Sequence, residues 1–141
     1  MKILFDTNIV LDLLLDREPF SESATKLFAR VELTEMEGYL CATTVTTIYY
    51  LYVKAKGRKE ARKKIKLLLS IFEVANVNKE ILESALTSKI ADYEDAVIEE
   101  ASIHTEVQGI VTRNIKDFKK SKIKVYSPIE LLNILSLKKH N

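Results

Sequence analysis

Lys2-Ile3-Leu4-Phe5-Asp6-Thr7-Asn8-Ile9-Val10 is a short apolar run that meets a carboxylate and passes into a second apolar segment. Ile3, Leu4 and Phe5 favour extended backbone, whereas Ile9, Val10, Leu13 and Leu14 recur at helical spacing, and Thr7 or Asn8 can cap that helix. The stretch predicts a strand, an aspartate and a capped helix. In an open α/β sheet, ligands bind beyond the carboxyl ends of the strands, so Asp6 stands where such a fold does its chemistry. An aspartate there also serves as a plain helix cap, and the stretch alone does not separate the two roles.

Outward from this stretch, Ser21 can cap a helix carrying Ala24, Leu27, Phe28 and Val31 on one face, which Gly38 is expected to end. Tyr39 to Thr44 reads as a second strand, followed by a helix with Val45, Ile48, Tyr49, Tyr52 and Val53 up to Gly57. A basic amphipathic helix follows, with Ala61, Ile65, Leu68 and Leu69 opposite Lys59, Arg62, Lys63 and Lys66. Ile71 to Val77 predicts a third strand, Asn78 caps a helix, and Asp92 opens another that Gly109 closes. Gly109 to Thr112 and Ile123 to Tyr126 complete five strands, and Ser127-Pro128-Ile129-Glu130 starts the last helix with capping-box spacing. Strands separated by helices predict an α/β fold with a mainly parallel central sheet.

A chain of 141 residues is the size of one domain with a core that needs no disulfide, so residues 1–141 are expected to form a single unit with a flexible tail over about 137–141. Cys41 is the sole cysteine, and Asp6 and Asp12 interrupt the apolar region that a signal peptide would need. No apolar run approaches the roughly 20 residues that span a bilayer, so a cytoplasmic protein with no membrane partner is expected. The net charge of +2 says little about partners, but the 22 basic and 20 acidic residues are unevenly spread.

Acids gather at predicted element ends. Asp92 and Asp95 stand in a helix's first turn and share a face with Glu99, and Asp117 follows Thr112-Arg113-Asn114. A helix N-terminus favours such acids for its own sake. The combination nevertheless resembles the PIN-domain ribonucleases, the fold of the VapC-type toxins. Ile3 to Val10, Asp95-Ala96-Val97-Ile98, and Ile110 to Phe118 carry the resemblance in the family's order over nearly the whole chain. It implies a three-layer α/β/α fold with about five strands. Asp6, Asp95 and Asp117 become metal-site and catalytic positions, with Asn114 in the last acidic region and Asp92 as an auxiliary. The sequence departs from the pattern at Thr47, near where the family has an acid. A hydroxyl can hold a metal-bound water but adds no charge, which leaves either weaker metal affinity or compensation by Asp92.

Three carboxylates about 5 Å apart repel by roughly 3 kcal/mol per pair at an effective dielectric near 20, so a convergent site calls for a cation. All-oxygen donors suit Mg²⁺ or Mn²⁺ and hydrolysis of a phosphodiester by bound water. His104, His140 and Cys41 have no spacing that suits zinc or cysteine catalysis. Lys54 to Lys66 holds eight basic residues against Glu60, and Lys116, Lys119, Lys120, Lys122 and Lys124 crowd the last strand connection. Both runs can track a phosphate backbone, the second beside Asn114 and Asp117, although a solvated basic helix also explains the first. Asn8, Arg113, Lys116 and Lys119 are thus substrate-binding candidates, and Tyr49, Tyr50 and Tyr93 can stack on bases.

The expectation is a Mg²⁺- or Mn²⁺-dependent endoribonuclease, the toxin of a toxin-antitoxin pair, with RNA as substrate, an antitoxin as partner and a homodimeric assembly. A PIN-like module that binds RNA or protein without cutting is the alternative that Thr47 keeps open. A haloacid dehalogenase-type phosphatase also ends its first strand on Asp-x-Asp, but Asn8 removes the second acid which that chemistry needs.

Overall fold

Residues 1–139 are described in the computed structural model. Its strands are β1 (Lys2–Phe5), β2 (Glu37–Cys41), β3 (Glu73–Ala75), β4 (Gly109–Val111) and β5 (Val125–Tyr126). Its helices are α1 (Thr7–Leu14), α2 (Ser21–Glu32), α3 (Ala42–Lys56), α4 (Arg58–Ile71), α5 (Lys79–Ala85), α6 (Tyr93–Thr105) and α7 (Pro128–Lys139), with a short 3-10 turn at Ile115–Phe118. The strands form one parallel sheet in the order β3-β2-β1-β4-β5.

Successive strand residues point to opposite faces, and both faces are covered. Ile3, Phe5, Leu40 and Val111 pack with residues of α1, α2, α3, α4 and α7. Leu4, Cys41 and Ile110 pack with residues of α5 and α6 on the other side. This explains why the strands read as unbroken apolar runs: a parallel sheet with helices on each face has no solvent side. The layering is α/β/α, as expected.

The boundaries differ from the sequence reading in instructive ways. Gly38 does not stop a helix but lies inside β2, and Gly109, expected both to close a helix and to open the fourth strand, is the first residue of β4. A Cβ on Gly38 would stand 2.6 Å from the Phe72 ring, and one on Gly109 would stand 2.6 Å from the Tyr126 ring. The helices before them end instead at Glu32 and at Thr105, the latter followed by Glu106 in the left-handed region at φ 61°. Asp6, not Thr7 or Asn8, is the N-cap of α1, and Ser21 spends its hydroxyl on Glu18 rather than on a cap. The caps expected of Asn78, Asp92 and Ser127 with Glu130 are present. Helix α7 continues through Lys139, where a tail was expected from about residue 137. The rest of that expectation, and His140, lies outside the described residues.

Chain order and spatial order together locate a crevice. From β1 the chain moves outward through β2 to β3, then returns across the sheet to β4 on the other side of β1. The strand order reverses between β1 and β4, so their carboxyl ends form the switch point at which open α/β sheets bind ligands.

Candidate functional site

Asp6 directly follows β1 and stays in the sheet's ladder, its N–H donating to Val111 O at 3.0 Å. Its carboxylate is 6% exposed and receives three donors. The Thr7 N–H donates to Oδ1 at 2.8 Å, while the Thr112 hydroxyl at 2.7 Å and the Asn8 amide at 3.3 Å donate to Oδ2. Burial raises its pKa and the Thr112 and Thr7 hydrogen bonds oppose that rise; the Asp117 charge adds to it and the Arg113 charge subtracts. Asp6 therefore caps α1 and also presents a fixed, electrostatically perturbed carboxylate at the switch point.

Asp95 belongs to the first turn of α6, where its N–H is held by Asp92 Oδ1 at 3.0 Å. Burial pushes its carboxyl up to about 7, helped by the negative charges of Asp6, Asp92, Asp117 and Glu94. Asp117 lies in the 3-10 turn after β4 and is exposed, as is Asn114 at the head of that turn. Residues about ninety and twenty positions apart in the chain thus feel one another's charge. Among the described residues, no three Asp, Glu, His or Cys side chains stand close enough to hold an ion by direct contact alone. The donors are all oxygen, and a hydrated Mg²⁺ held through one or two carboxylates and retained waters suits such a cluster.

The candidate binding residues separate. Asn8 is at the site, on Asp6, with its Oδ1 3.5 Å from the Arg113 N–H. Arg113 is committed elsewhere: its Nε and Nη2 donate to the two oxygens of Asp12 at 2.6 and 3.2 Å, and Phe20 covers the guanidinium at 3.8 Å. Lys116 and Lys119 are exposed beside Asp117 and Asp92. Tyr93 donates its hydroxyl to Leu82 O at 2.8 Å, while Tyr49 and Tyr50 sit against Arg62 and Lys54. Thr47 is half-buried in α3, and the α3 hydroxyl that reaches toward the site is Thr44, fully buried and 3.1 Å from the Thr7 hydroxyl. His104 faces Glu100 at 3.9 Å.

Sequence reasoning gave no site role to three residues. Thr112 is fully buried, and its hydroxyl joins Asp6 to the Asn114 N–H at 3.0 Å, but in sequence it reads as an ordinary strand residue. Asp12 is fully buried and anchors Arg113; an acid between Leu11 and Leu13 on an apolar helix was a signal that a cation faced it. Glu99 is 1% exposed, and nothing in its local sequence shows what it binds.

Comparison with known proteins agrees with this geometry. The family described as PIN domain matches residues 2–116. No curated protein matches the chain. Among solved structures, a toxin-antitoxin complex from Klebsiella pneumoniae shares 25% identity at TM-score 0.68, covering 89% of this chain and 97% of that one. VapBC2 from Rickettsia felis, bound to a DNA fragment from its promoter, shares 18% identity at TM-score 0.66 over 90% of this chain and 98% of that one. VapC20 of Mycobacterium tuberculosis, a toxin that cleaves the sarcin-ricin loop, shares 14% identity at TM-score 0.62 over 77% and 86%.

Proposed function

Because this chain belongs to the PIN-domain family, we propose that it is a divalent-metal-dependent endoribonuclease, the toxin of a toxin-antitoxin pair. The observation that carries the reading is that Asp6, Asp95 and Asp117, from three separate elements, gather at the switch point, where burial first and then the charges of Asp6, Asp92 and Asp117 push the Asp95 carboxyl up to about 7. Mutual repulsion of this kind is what a bound cation relieves. Asp6, Asp95 and Asp117 would hold Mg²⁺ or Mn²⁺, with Asp92 and Asn114 at the margin of the site. The bound ion would supply polarisation of the scissile phosphodiester and a more acidic water than bulk solvent offers.

The chain's own residues supply the rest. Thr7, Asn8 and Thr112 fix the Asp6 carboxylate, so its geometry costs little reorganisation during reaction. The α6 N-terminus favours the negative charges of Asp92 and Asp95, and its cap orients the turn that bears them. Lys116 and Lys119 attract the RNA backbone toward the acids, offsetting the repulsion that bare carboxylates would exert on phosphate. Arg113 holds α1 to the segment after β4 and lowers the negative potential at Asp6. The similar toxin-antitoxin complex supports an antitoxin for this chain, and cleavage of the sarcin-ricin loop by VapC20 supports the substrate class. We place the protein in the cytoplasm as a homodimer; equilibrium sedimentation at a mass twice the 16.1 kDa chain is the expected result, and the chain mass alone overturns the dimer.

Labelled single-stranded RNA incubated with the protein under a Mg²⁺ and Mn²⁺ titration tests the activity. Cleavage should require the ion and fall at least 100-fold in Asp6→Asn and Asp95→Asn, each folded by circular dichroism. Cleavage that survives both substitutions removes the proposal. A PIN-like module that binds RNA or protein without cutting is the second reading, favoured by Thr47 at the position of an expected acid. It predicts RNA affinity with no divalent-dependent turnover.

A further inference from the structure

A cleft of about 290 Å³ opens beside the acids, between the segment from Lys89 to Asp92 and the segment from Lys116 to Lys120. Lys89, Lys116, Lys119 and Lys120 line it together with Asp92 and Asp117. All four ammonium groups belong to exposed residues, and among the described residues none makes an ion pair. Such a group of cations, set on two facing segments and not ion-paired to the acids, attracts an anion such as a backbone phosphate.

The two walls are fastened to each other by Glu99. From within α6, its Oε1 accepts from the Ser88 hydroxyl and its Oε2 from the Lys122 N–H, each at 2.8 Å. Ser88 in turn accepts from the Ile90 N–H at 3.1 Å, so one carboxylate fixes the turn that bears Lys89 and the end of the loop that bears Lys119 and Lys120. Glu99 is 1% exposed and has no cationic partner among the described residues. Burying a carboxylate is costly, and here both of its oxygens are spent on the two walls. Its position suits the spacing of the walls.

We propose that this cleft holds a backbone phosphate of the RNA strand next to the one being cut, with Lys89 and Lys120 as binding residues and Glu99 as the positioning residue that sets the cleft's width. This rests on the ribonuclease reading for the identity of the strand, but its test does not depend on turnover. Anisotropy of a fluorescein-labelled single-stranded RNA in EDTA reads affinity, and Mn²⁺-dependent cleavage of the same RNA reads KM and kcat. Lys89→Ala/Lys120→Ala should weaken affinity about tenfold and reduce the salt slope by about 0.7 for the lost phosphate contact. KM should rise with it while kcat stays within about twofold, because the contact is equal in ground and transition states. Glu99→Gln, which keeps the shape and one acceptor, should shift affinity and KM the same way by about threefold with the fold intact. Lys26→Ala on α2 should change neither.

Unchanged affinity in the double lysine variant overturns the cleft, as does an equal loss in Lys26→Ala, or competition by polyglutamate as effective as by unlabelled RNA. A Glu99→Gln protein with lowered melting temperature and unaltered KM and affinity overturns the positioning role. A wild-type protein that binds RNA through the lysines and never cuts it removes the nuclease reading alone.

Discussion

The hydroxyl of Thr112 links Asp6 to the far side of the site. It donates to Asp6 Oδ2 at 2.7 Å and accepts from the Asn114 N–H at 3.0 Å, joining the end of β1 to the loop that presents Asp117. Thr112→Val keeps the shape and removes both bonds, so a buried carboxylate oxygen loses its shortest donor. Stability should fall by about 1–3 kcal/mol. Activity should fall about tenfold, as for outer partners of metal-binding groups, and Thr112→Ser should recover most of both. Urea titration and RNA cleavage check the pair; wild-type cleavage by the valine protein would show that Asp6 needs no such support. Arg113 poses the opposite case. Arg113→Ala leaves the fully buried Asp12 with only the Arg17 guanidinium at 4.0 Å, so a loss of about 2–4 kcal/mol is expected in denaturant unfolding, below that of a wholly unpaired interior charge. Lysine cannot reproduce the two-pronged contact, so Arg113→Lys should recover only part of it. The acids of the site were legible because each stands at an element boundary, where local pattern already draws attention. Thr112, Asp12 and Glu99 were not, since each acts through a partner that sequence spacing does not reveal.

Among the elements, the strands were identified in order, but Gly38 was read as a helix end rather than a strand residue, and Gly109 as a helix end besides the start of its strand. Gly after an apolar periodic run ordinarily signals a helix end. Here Gly38 and Gly109 instead let the Phe72 and Tyr126 rings approach the strand backbone closely, a tertiary demand with no local trace. Gly57 did follow the local rule: its φ of 88° separates α3 from α4, and open space surrounds the position a Cβ would take. The difference predicts different mutational costs. Gly109→Ala would set a Cβ 2.6 Å from the Tyr126 ring and 3.1 Å from the backbone O of Lys124, so the β4–β5 pairing must shift. A loss of about 1–3 kcal/mol is expected, with the β5 edge exchanging its amide hydrogens faster. Tyr126→Leu in the same background should relieve part of it; no change in unfolding midpoint for Gly109→Ala would show that the ring swings away freely. Caps, in contrast, were read correctly at Asn78, Asp92 and Ser127 because both partners of each bond lie within one turn of sequence.

For the whole molecule, the acids should make stability depend on pH and, on the proposed reading, on divalent ions together. Asp95 has its carboxyl raised from 3.8 to about 7, so the folded state binds that proton more tightly than the unfolded chain does. The resulting stabilisation is complete below pH 3.8 and is lost as pH rises through about 7. Asp6 is raised as well and acts in the same direction. In EDTA the melting temperature should therefore decline between pH 5 and pH 8 more steeply for the wild type than for Asp95→Asn, the difference isolating this group from the other carboxylates. Mg²⁺ or Mn²⁺ should reverse the decline, because a cation bound only by the folded chain stabilises it by about 2.7 kcal/mol at one hundred times its Kd. The ion-induced rise should be larger at pH 8, where protons no longer compete for the same oxygens, and should be small in Asp6→Asn and Asp95→Asn. Calorimetric scans at the two pH values with and without the ion decide the matter. An ion-induced shift that is equal at both pH values and persists in both variants would place the cation somewhere other than between β1, α6 and the turn after β4.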